Sequence, residues 1–552
     1  MHDPFPAHEV LNQSPPFEDV NLYTSDVALM EAVVREGGGQ AQRALVSFGL
    51  VAGSAEAFDL ARKANANPPR LQTHDRTGRR IDLVEYHPAY HDLMRLSFGE
   101  GLNGSSFAHH LPQGAERANA HAERAAAFFI AAQMESGHCC PVTMTHAAAP
   151  VVLQNATLAA DWLPLMVSRS YDPRFVPAAE KSAVTIGMGM TENQGGSDVR
   201  QIRTVAEETG DGAYRLMGQK WFLSAPMSDA FLVLAQASGG LSCFLMPRYL
   251  PDGRVNAMAL VRLKDKLGNR SNASAEAQLD GALAWRIGEE GRGVATIIDM
   301  VTHCRLDCAL ASAALMRSAV AHALHHAEHR TANGRTLIEQ PLMMHVLADL
   351  VLDVEAAVAL SFRLARAFDR AKDPRAAAWR RIMTPVTKYW VTKVAPGVVG
   401  EAMECLGGNG YTEDWPLARH YREAPVNAIW EGTGNVMALD VLRVLQKEPD
   451  VAEIVTDELR GASQGEPRLK AAFQRLETML TEPRLLDLRG RALVEALGVL
   501  AAATILRAAA PPAVAEAFIS TRLGGTTRQT YGQGLEGTDL KAIVARASPN
   551  RR

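Results

Sequence analysis

YRLMGQKWFLS (214–224), DAFLVLAQ (229–236) and LSCFLMPRYL (241–250) are short apolar runs bounded by TGDG (209–212), SGG (238–240) and PDGR (251–254). Runs of this length between glycine- and aspartate-bearing turns read as strands, and several in succession predict a mostly antiparallel β domain. The texture holds from about Ser182 to Ile287. On either side the apolar spacing changes to three and four residues, as in ERANAHAERAAAFFIAAQMESG (116–137), MVTHCRLDCALASAALMRSAVAHALHHAEHR (300–330) and LADLVLDVEAAVALSFRLARAFDR (347–370), the pattern of long amphipathic helices. Beyond Gln446, EPD, SQGEPR and TEPR punctuate further helices, and TRLGGTTRQTYGQGLEGTD (521–539) leads into a basic tail. The chain therefore reads as an α+β multidomain protein: an N-terminal helical domain (1–181), a middle antiparallel β domain (182–288), a helix bundle (289–445) and an extra C-terminal helical domain (446–552).

Composition narrows the function. Across 552 residues, 47% are hydrophobic and 21% charged, which excludes a mainly disordered chain. Net charge is −4, from 57 basic and 61 acidic residues, so any nucleic-acid contact must come from a local patch. Among the six cysteines, Cys139 and Cys140 are adjacent and Cys304 and Cys308 lie one helical turn apart. These spacings form no disulfide framework and favour a reducing cytoplasm. MHDPFPAHEV has no signal-peptide character, and no apolar stretch reads as an uninterrupted bilayer span, so no membrane association is expected. His322, His325, His326 and His329 fall on one helical stripe that reads as packing, and no metal is expected.

Two glycine clusters carry the chemistry. GMGMTENQGGSDVRQ (187–201) ends in a turn of small residues that lets backbone amides approach a ligand. EAMECLGGNGYTEDWPLARHYRE (401–423) sets Gly407, Gly408, Gly410, Tyr411, Asp414, Arg419 and Glu423 at fixed offsets after a helix. Together they resemble the two signature patterns of the acyl-CoA dehydrogenase family, whose helix–β–helix order is similar to that read above. The resemblance extends to NAIWEGTGNVMALDVLR (427–443) and implies FAD as cofactor, an acyl-CoA thioester as substrate and Glu431 as catalytic base. A carboxylate there would take the acidic α-proton while hydride leaves the β-carbon. In some members the base precedes an arginine on an earlier helix; here that slot is Cys304, before Arg305.

The same resemblance implies flavin contacts from Met190, Thr191, Ser197, Phe222, Ser224, Gly432 and Thr433, and from Arg330 toward a neighbouring subunit's FAD. Phe222 stands where the family usually has Trp, beside Trp221 in KWFLSA (220–225). In HRTANGRTLIEQPL (329–342), Asn333-Gly334 replaces the usual Phe-Gly. SPPFEDVNLYTSD (14–26), CCPVTMTHAA (139–148) and RLKDKLGNRSNAS (262–274) resemble one branch of the family, the flavoproteins of the bacterial adaptive response to DNA alkylation. That branch implies a homotetramer that binds double-stranded DNA, protects it or inactivates alkylating agents, and has weak isovaleryl-CoA-like dehydrogenase activity. Arg443, Arg522 and Arg528 match its DNA-contacting arginines, and seven basic residues face three acidic ones from Ala501 onward. The alternative is a catabolic acyl-CoA dehydrogenase passing electrons to an electron-transfer flavoprotein.

Overall fold

The computed structural model describes residues 10–210, 212–480, 483–524, 535 and 537–549. The N-terminal region is formed by α1 (Val27–Arg35), α2 (Gln42–Ala52), α3 (Ala55–Ala66), a hairpin of β1 (Arg70–His74) and β2 (Arg80–Glu85), then α4 (Pro88–Gly99), α5 (Ala120–Met134), α6 (Cys139–Val152) and α7 (Ala156–Met166). The hairpin escapes the helical reading. Its DRTG turn closes because the Asp75 carboxylate accepts from the Thr77 and Arg79 amides, and its Val84 enters the core of the β domain.

The middle domain holds β3 (Ile186–Gly189), β4 (Val205–Gly210), β5 (Ala213–Ser224), β6 (Ala230–Ala237), β7 (Gly240–Pro247), β8 (Met258–Leu263) and β9 (Ser274–Ile287). Among the described residues they run β3-β6-β4-β5-β9-β7, with β8 on β9, and β6 also pairs with β7, so the sheet curls back on itself. Most pairs are antiparallel as expected. The exceptions are β3–β6 and the single β4–β6 bridge, which are parallel because β3 arrives through a long connection from the N-terminal helices.

The bundle comprises α8 (Gly293–His329), α9 (Pro341–Asp369) and α10 (Pro374–Cys405), preceded on the α9 side by a short β10 (Thr331–Ala332) and β11 (Arg335–Thr336) pair. It is followed by α11 (Gly408–Tyr411), α12 (Pro416–Glu423) and α13 (Gly434–Lys447). Helix α5 is fastened to α8 by a bidentate Arg124–Asp307 pair at 2.7 and 2.8 Å with both side chains buried. Finally α14 (Pro449–Ala462), α15 (Pro467–Leu480), α16 (Pro483–Ala509), α17 (Pro512–Leu523) and α18 (Leu540–Ala547) fold back onto the bundle and share one continuous apolar core with it. Within α16, Leu488–Ala509 is long and apolar enough by composition to span a bilayer, though Arg489, Arg491, Glu495 and Arg507 interrupt it. Leu493, Val494, Leu497, Leu500 and Leu506 of this helix are buried, and Gly498 seats against Trp390 of α10.

Candidate active site

The segment Trp430–Thr433 joins a 3-10 turn (Ala424–Ala428) to α13, and two buried cations determine its path. Lys388 Nζ, from α10, donates to the carbonyls of Trp430 (2.8 Å) and Gly432 (2.6 Å), and Arg305 Nε, from α8, donates to the Glu431 carbonyl (3.1 Å). Arg305 is itself held by Asp440 at 2.6 Å. Capturing three consecutive carbonyls turns the backbone sharply: Glu431 takes φ +57° and Gly432 φ +101°. Left-handed backbone is accessible to glycine but costs a glutamate roughly 1–3 kcal/mol, a strain that the surrounding bonds must hold.

The Glu431 carboxyl gains nothing from those bonds. Its Oε2 is sealed from solvent without a hydrogen-bond partner, and burial pushes its pKa up against the opposing pull of Lys388 and Arg305. The neighbouring thiols are neutral. Burial pushes Cys140 and Cys308 up to about 12 and Cys304 well above its ordinary range, each reinforced by the Glu431 charge. Cys304 therefore offers no base, and Glu431 is the titratable acid of this pocket.

The β domain supplies the opposite wall. Trp221 N donates to the Thr191 carbonyl (2.9 Å), which joins the end of β3 to the end of β5 and sets Met190 and Thr191 beside Phe222 and Ser224. Phe222 is 48% exposed, Lys264 Nζ lies 3.4 Å over the Trp221 ring and 4.9 Å over Phe222, and Ser224 Oγ lies 3.1 Å from Ser274 Oγ. Met190 and Trp430 pack on the same apolar cluster, with Met144, Met300 and Cys304, so this edge and the Glu431 loop meet. A Cβ on Gly196 would stand 2.8 Å from Thr191 Oγ1, so the turn needs glycine for its close approach. Thr433 caps α13 without spending its side chain on the helix amides, leaving an amide-rich N-terminus beside Glu431. An exposed aromatic edge, a hydroxyl, free helix amides and an orphaned carboxylate oxygen together fit a flavin and a thioester. Ser197 lies exposed in its turn. Arg330, at the end of α8, donates to the Asn12 carbonyl of its own chain.

A cavity of about 440 Å³ opens nearby, lined by Tyr86, Tyr90, Met94, Tyr171 and Met227 together with the charged Glu85, Asp172 and Lys181. Pro141 and Ala225, also in the lining, follow Cys140 and Ser224. Its walls come from β2, α4, the start of α6 and the loops after α7 and β5. Residues this dispersed carry no joint sequence signal, and the cavity was not anticipated. Lys388 was missed too, although a lone lysine among buried positions of TPVTKYWVT (384–392) is a usable sign of an internal cation.

The expected DNA contacts divide. Arg443 is exposed on α13. Arg522 requires correction: its guanidinium binds Asp349 (2.6 Å) and Asp353 (2.8 Å) of α9, with side-chain exposures of 6%, 0% and 1%, so it is a structural ion pair and not a free phosphate contact. Arg546, from the same basic tail, is likewise consumed by Glu355 (2.5 Å) and Glu31. Arg528 lies outside the described residues. The sequence count also overlooked Arg489 and Arg491, both exposed, which flank Gly490 where α16 seats against Leu442, next to Arg443.

Three family descriptions match consecutive parts of the chain: the adaptive response protein AidB N-terminal domain at 12–173, the acyl-CoA dehydrogenase middle domain at 187–282 and the acyl-CoA dehydrogenase C-terminal domain at 291–446. AidB of Escherichia coli (strain K12) is 46% identical over 519 residues, 94% of each chain. Acyl-CoA dehydrogenase family member 11 of Caenorhabditis elegans is 34% identical over 421 residues, covering 72% of this chain and 66% of that one. The crystal structure of Caenorhabditis elegans ACDH-11 in complex with C11-CoA superposes with a TM-score of 0.84 at 27% identity, covering 94% of each chain.

Proposed function

The chain belongs to the acyl-CoA dehydrogenase family of FAD-dependent oxidoreductases, with an AidB-type N-terminal domain, and from that premise we propose that it dehydrogenates an acyl-CoA thioester between Cα and Cβ with Glu431 as base. The observation that carries the reading is the Glu431 carboxyl, buried, unpartnered at Oε2 and beside neutral thiols. Bound FAD supplies the hydride acceptor. Glu431 takes the α-proton onto its carboxylate, and Lys388 and Arg305 fix the loop that presents it. Met190, Thr191, Phe222 and Ser224 would hold the flavin, with Gly432 and Thr433 on the other side. The tyrosine- and methionine-lined cavity would take the acyl chain, as suits the C11-CoA ligand of the worm structure.

Since burial raises the Glu431 pKa, the base is lost by protonation at a higher pH than an ordinary glutamate near 4.5. The reductive half-reaction is therefore expected to rise with pH along a limb displaced above 4.5, read from stopped-flow flavin bleaching by an acyl-CoA across a pH series. A limb at or below 4.5 would remove burial as the tuning device.

The likeness to AidB favours a second role in the adaptive response to DNA alkylation, with duplex DNA bound and protected. Its electrostatic footing is the face shared by α13 and α16, where Arg443, Arg489 and Arg491 are exposed. Arg443→Ala is expected to lower the salt slope of duplex binding by about one and leave flavin bleaching unchanged. Fluorescence anisotropy of a labelled duplex at several salt concentrations measures this, and an unchanged slope would place the DNA elsewhere. Absence of duplex binding by the wild type, with fast bleaching, would leave the catabolic role. A cytoplasmic homotetramer belongs to the same reading. Leu342, Tyr411 and Ile429 are 85%, 81% and 62% exposed, apolar side chains that self-association would cover, and light scattering gives the assembly mass.

A further inference from the structure

Histidines far apart in sequence meet where α5, α6 and α8 converge. His121 opens α5, His146 lies midway along α6 and His303 lies on α8, next to Cys304. Each can offer one ring nitrogen, and these atoms lie within 4.8 Å of one another. Ring centroids are separated by 5.8 Å (121–146), 5.3 Å (121–303) and 5.3 Å (146–303). Three imidazoles on one tetrahedral ion with metal–nitrogen bonds of about 2.0–2.1 Å would have centroids about 5.2 Å apart and nitrogens about 3.4 Å apart. The rings already have nearly the required spacing, and turning them about their side-chain bonds closes the remaining gap between nitrogens.

Two buried nitrogens have no partner. His146 Nε2 lies 2.8 Å from Ser106 Oγ, while its Nδ1 makes no hydrogen bond, and His303 Nδ1 is equally orphaned. A buried imidazole nitrogen without a partner loses hydration for no return, and two such nitrogens on adjoining rings of one cluster need an explanation. The Ser106 contact is of the kind that fixes a metal-binding tautomer. Phe107 and Phe368 pack against the cluster, in which His146 and His303 are buried and His121 is partly exposed. Two arginines and an aspartate surround the cluster. Arg124 is paired with Asp307, and Arg380 lies over Phe368. Asp369 accepts from the His121 and Ala122 amides at 2.7 and 2.9 Å, fixing the start of α5.

The geometry points to a trihistidine site, His121–His146–His303, for a divalent transition-metal ion such as zinc, tying the N-terminal helices to α8 beside the catalytic wall. An all-nitrogen donor set excludes calcium and magnesium as natural occupants. The histidines singled out by sequence are not this site: His325, His326 and His329 spend ring nitrogens on Pro15 O, Ser14 Oγ and His325 O.

The test uses the FAD-loaded protein equilibrated with zinc, desalted against a weak chelator and assayed by elemental mass spectrometry. One zinc per chain is expected, with a rise in Tm. His146→Ala with His303→Ala should remove both, whereas His109→Ala with His110→Ala should keep both. Substoichiometric zinc in the wild type, or equal zinc in the 146/303 variant, would overturn the site. Should that double variant fail to fold, Co²⁺ decides: a strong four-coordinate ligand-field band beyond the flavin absorption supports the site, and a weak six-coordinate spectrum refutes it.

Discussion

Glu431→Gln is expected to abolish flavin bleaching by acyl-CoA while the protein stays yellow. The amide keeps the shape of the side chain, so the contacts from Lys388 and Arg305 to the backbone carbonyls at 430–432 remain. What disappears is the group proposed to accept the α-proton; removing a general base of this kind costs about 10²–10⁴-fold or more. Cys304 cannot take over, because burial holds its thiol protonated. Folding cannot be blamed either. An acid whose folded pKa is raised contributes stability below its unfolded value and loses it as pH rises through the folded one, so ionised Glu431 is a burden at neutral pH. The Gln variant should therefore melt at or above the wild-type temperature. Stopped-flow reduction, flavin absorbance and a melting curve separate the cases. Bleaching at the wild-type rate would remove Glu431 from the mechanism, and loss of colour with loss of rate would turn it into a structural residue.

Much of this site was legible in the chain. The β domain announced itself by the change of period near Ser182, because strand alternation and helical spacing are local properties, whereas Glu431 was picked out only by the likeness of NAIWEGTGN to the family's segment. What the residues could not disclose is pairing across long sequence distances. The loop around Glu431 is bent by Lys388 and Arg305, 43 and 126 positions away by sequence number, and neither advertises its acceptors, which are backbone carbonyls with no sequence identity. The parallel entry of β3, the tyrosine-lined cavity and the His121–His146–His303 cluster fail to show for the same reason. Charge is the most deceptive class. Counting arginines in the C-terminal region treats each as a surface cation, yet a guanidinium on a helix that packs back onto the bundle can be drawn inward wherever the facing helix presents carboxylates. Asp349 and Asp353 stand one turn apart on α9 and do this to Arg522, as Glu355, further along α9, does to Arg546.

That distinction gives the second large effect. Arg522→Ala is expected to lower stability by about 3–5 kcal/mol, the usual cost of removing one partner from a buried ion pair, and to leave the salt slope of DNA binding by the folded protein unchanged. Three features make the loss large. The guanidinium donates to both carboxylates and to the Asp349 carbonyl at 3.0 Å, its side chain is 6% exposed, and it lies 5.6 Å from the Phe518 ring, which holds α17 in the core. The alanine variant leaves two carboxylates one helical turn apart in low dielectric without that cation, so the seam between α17 and α9 should open before the bundle does. Placing Asn at both Asp349 and Asp353 in the Arg522→Ala background lowers the negative charge on that seam and should recover part of the stability; a surface arginine would show no such rescue. Denaturant midpoints of the single and triple variants, with hydrogen exchange over Pro512–Leu523, read the effect. Near wild-type stability with a reduced salt slope would return Arg522 to the DNA-facing surface, whereas a large loss with rescue places it in the joint that holds the C-terminal helices on the bundle.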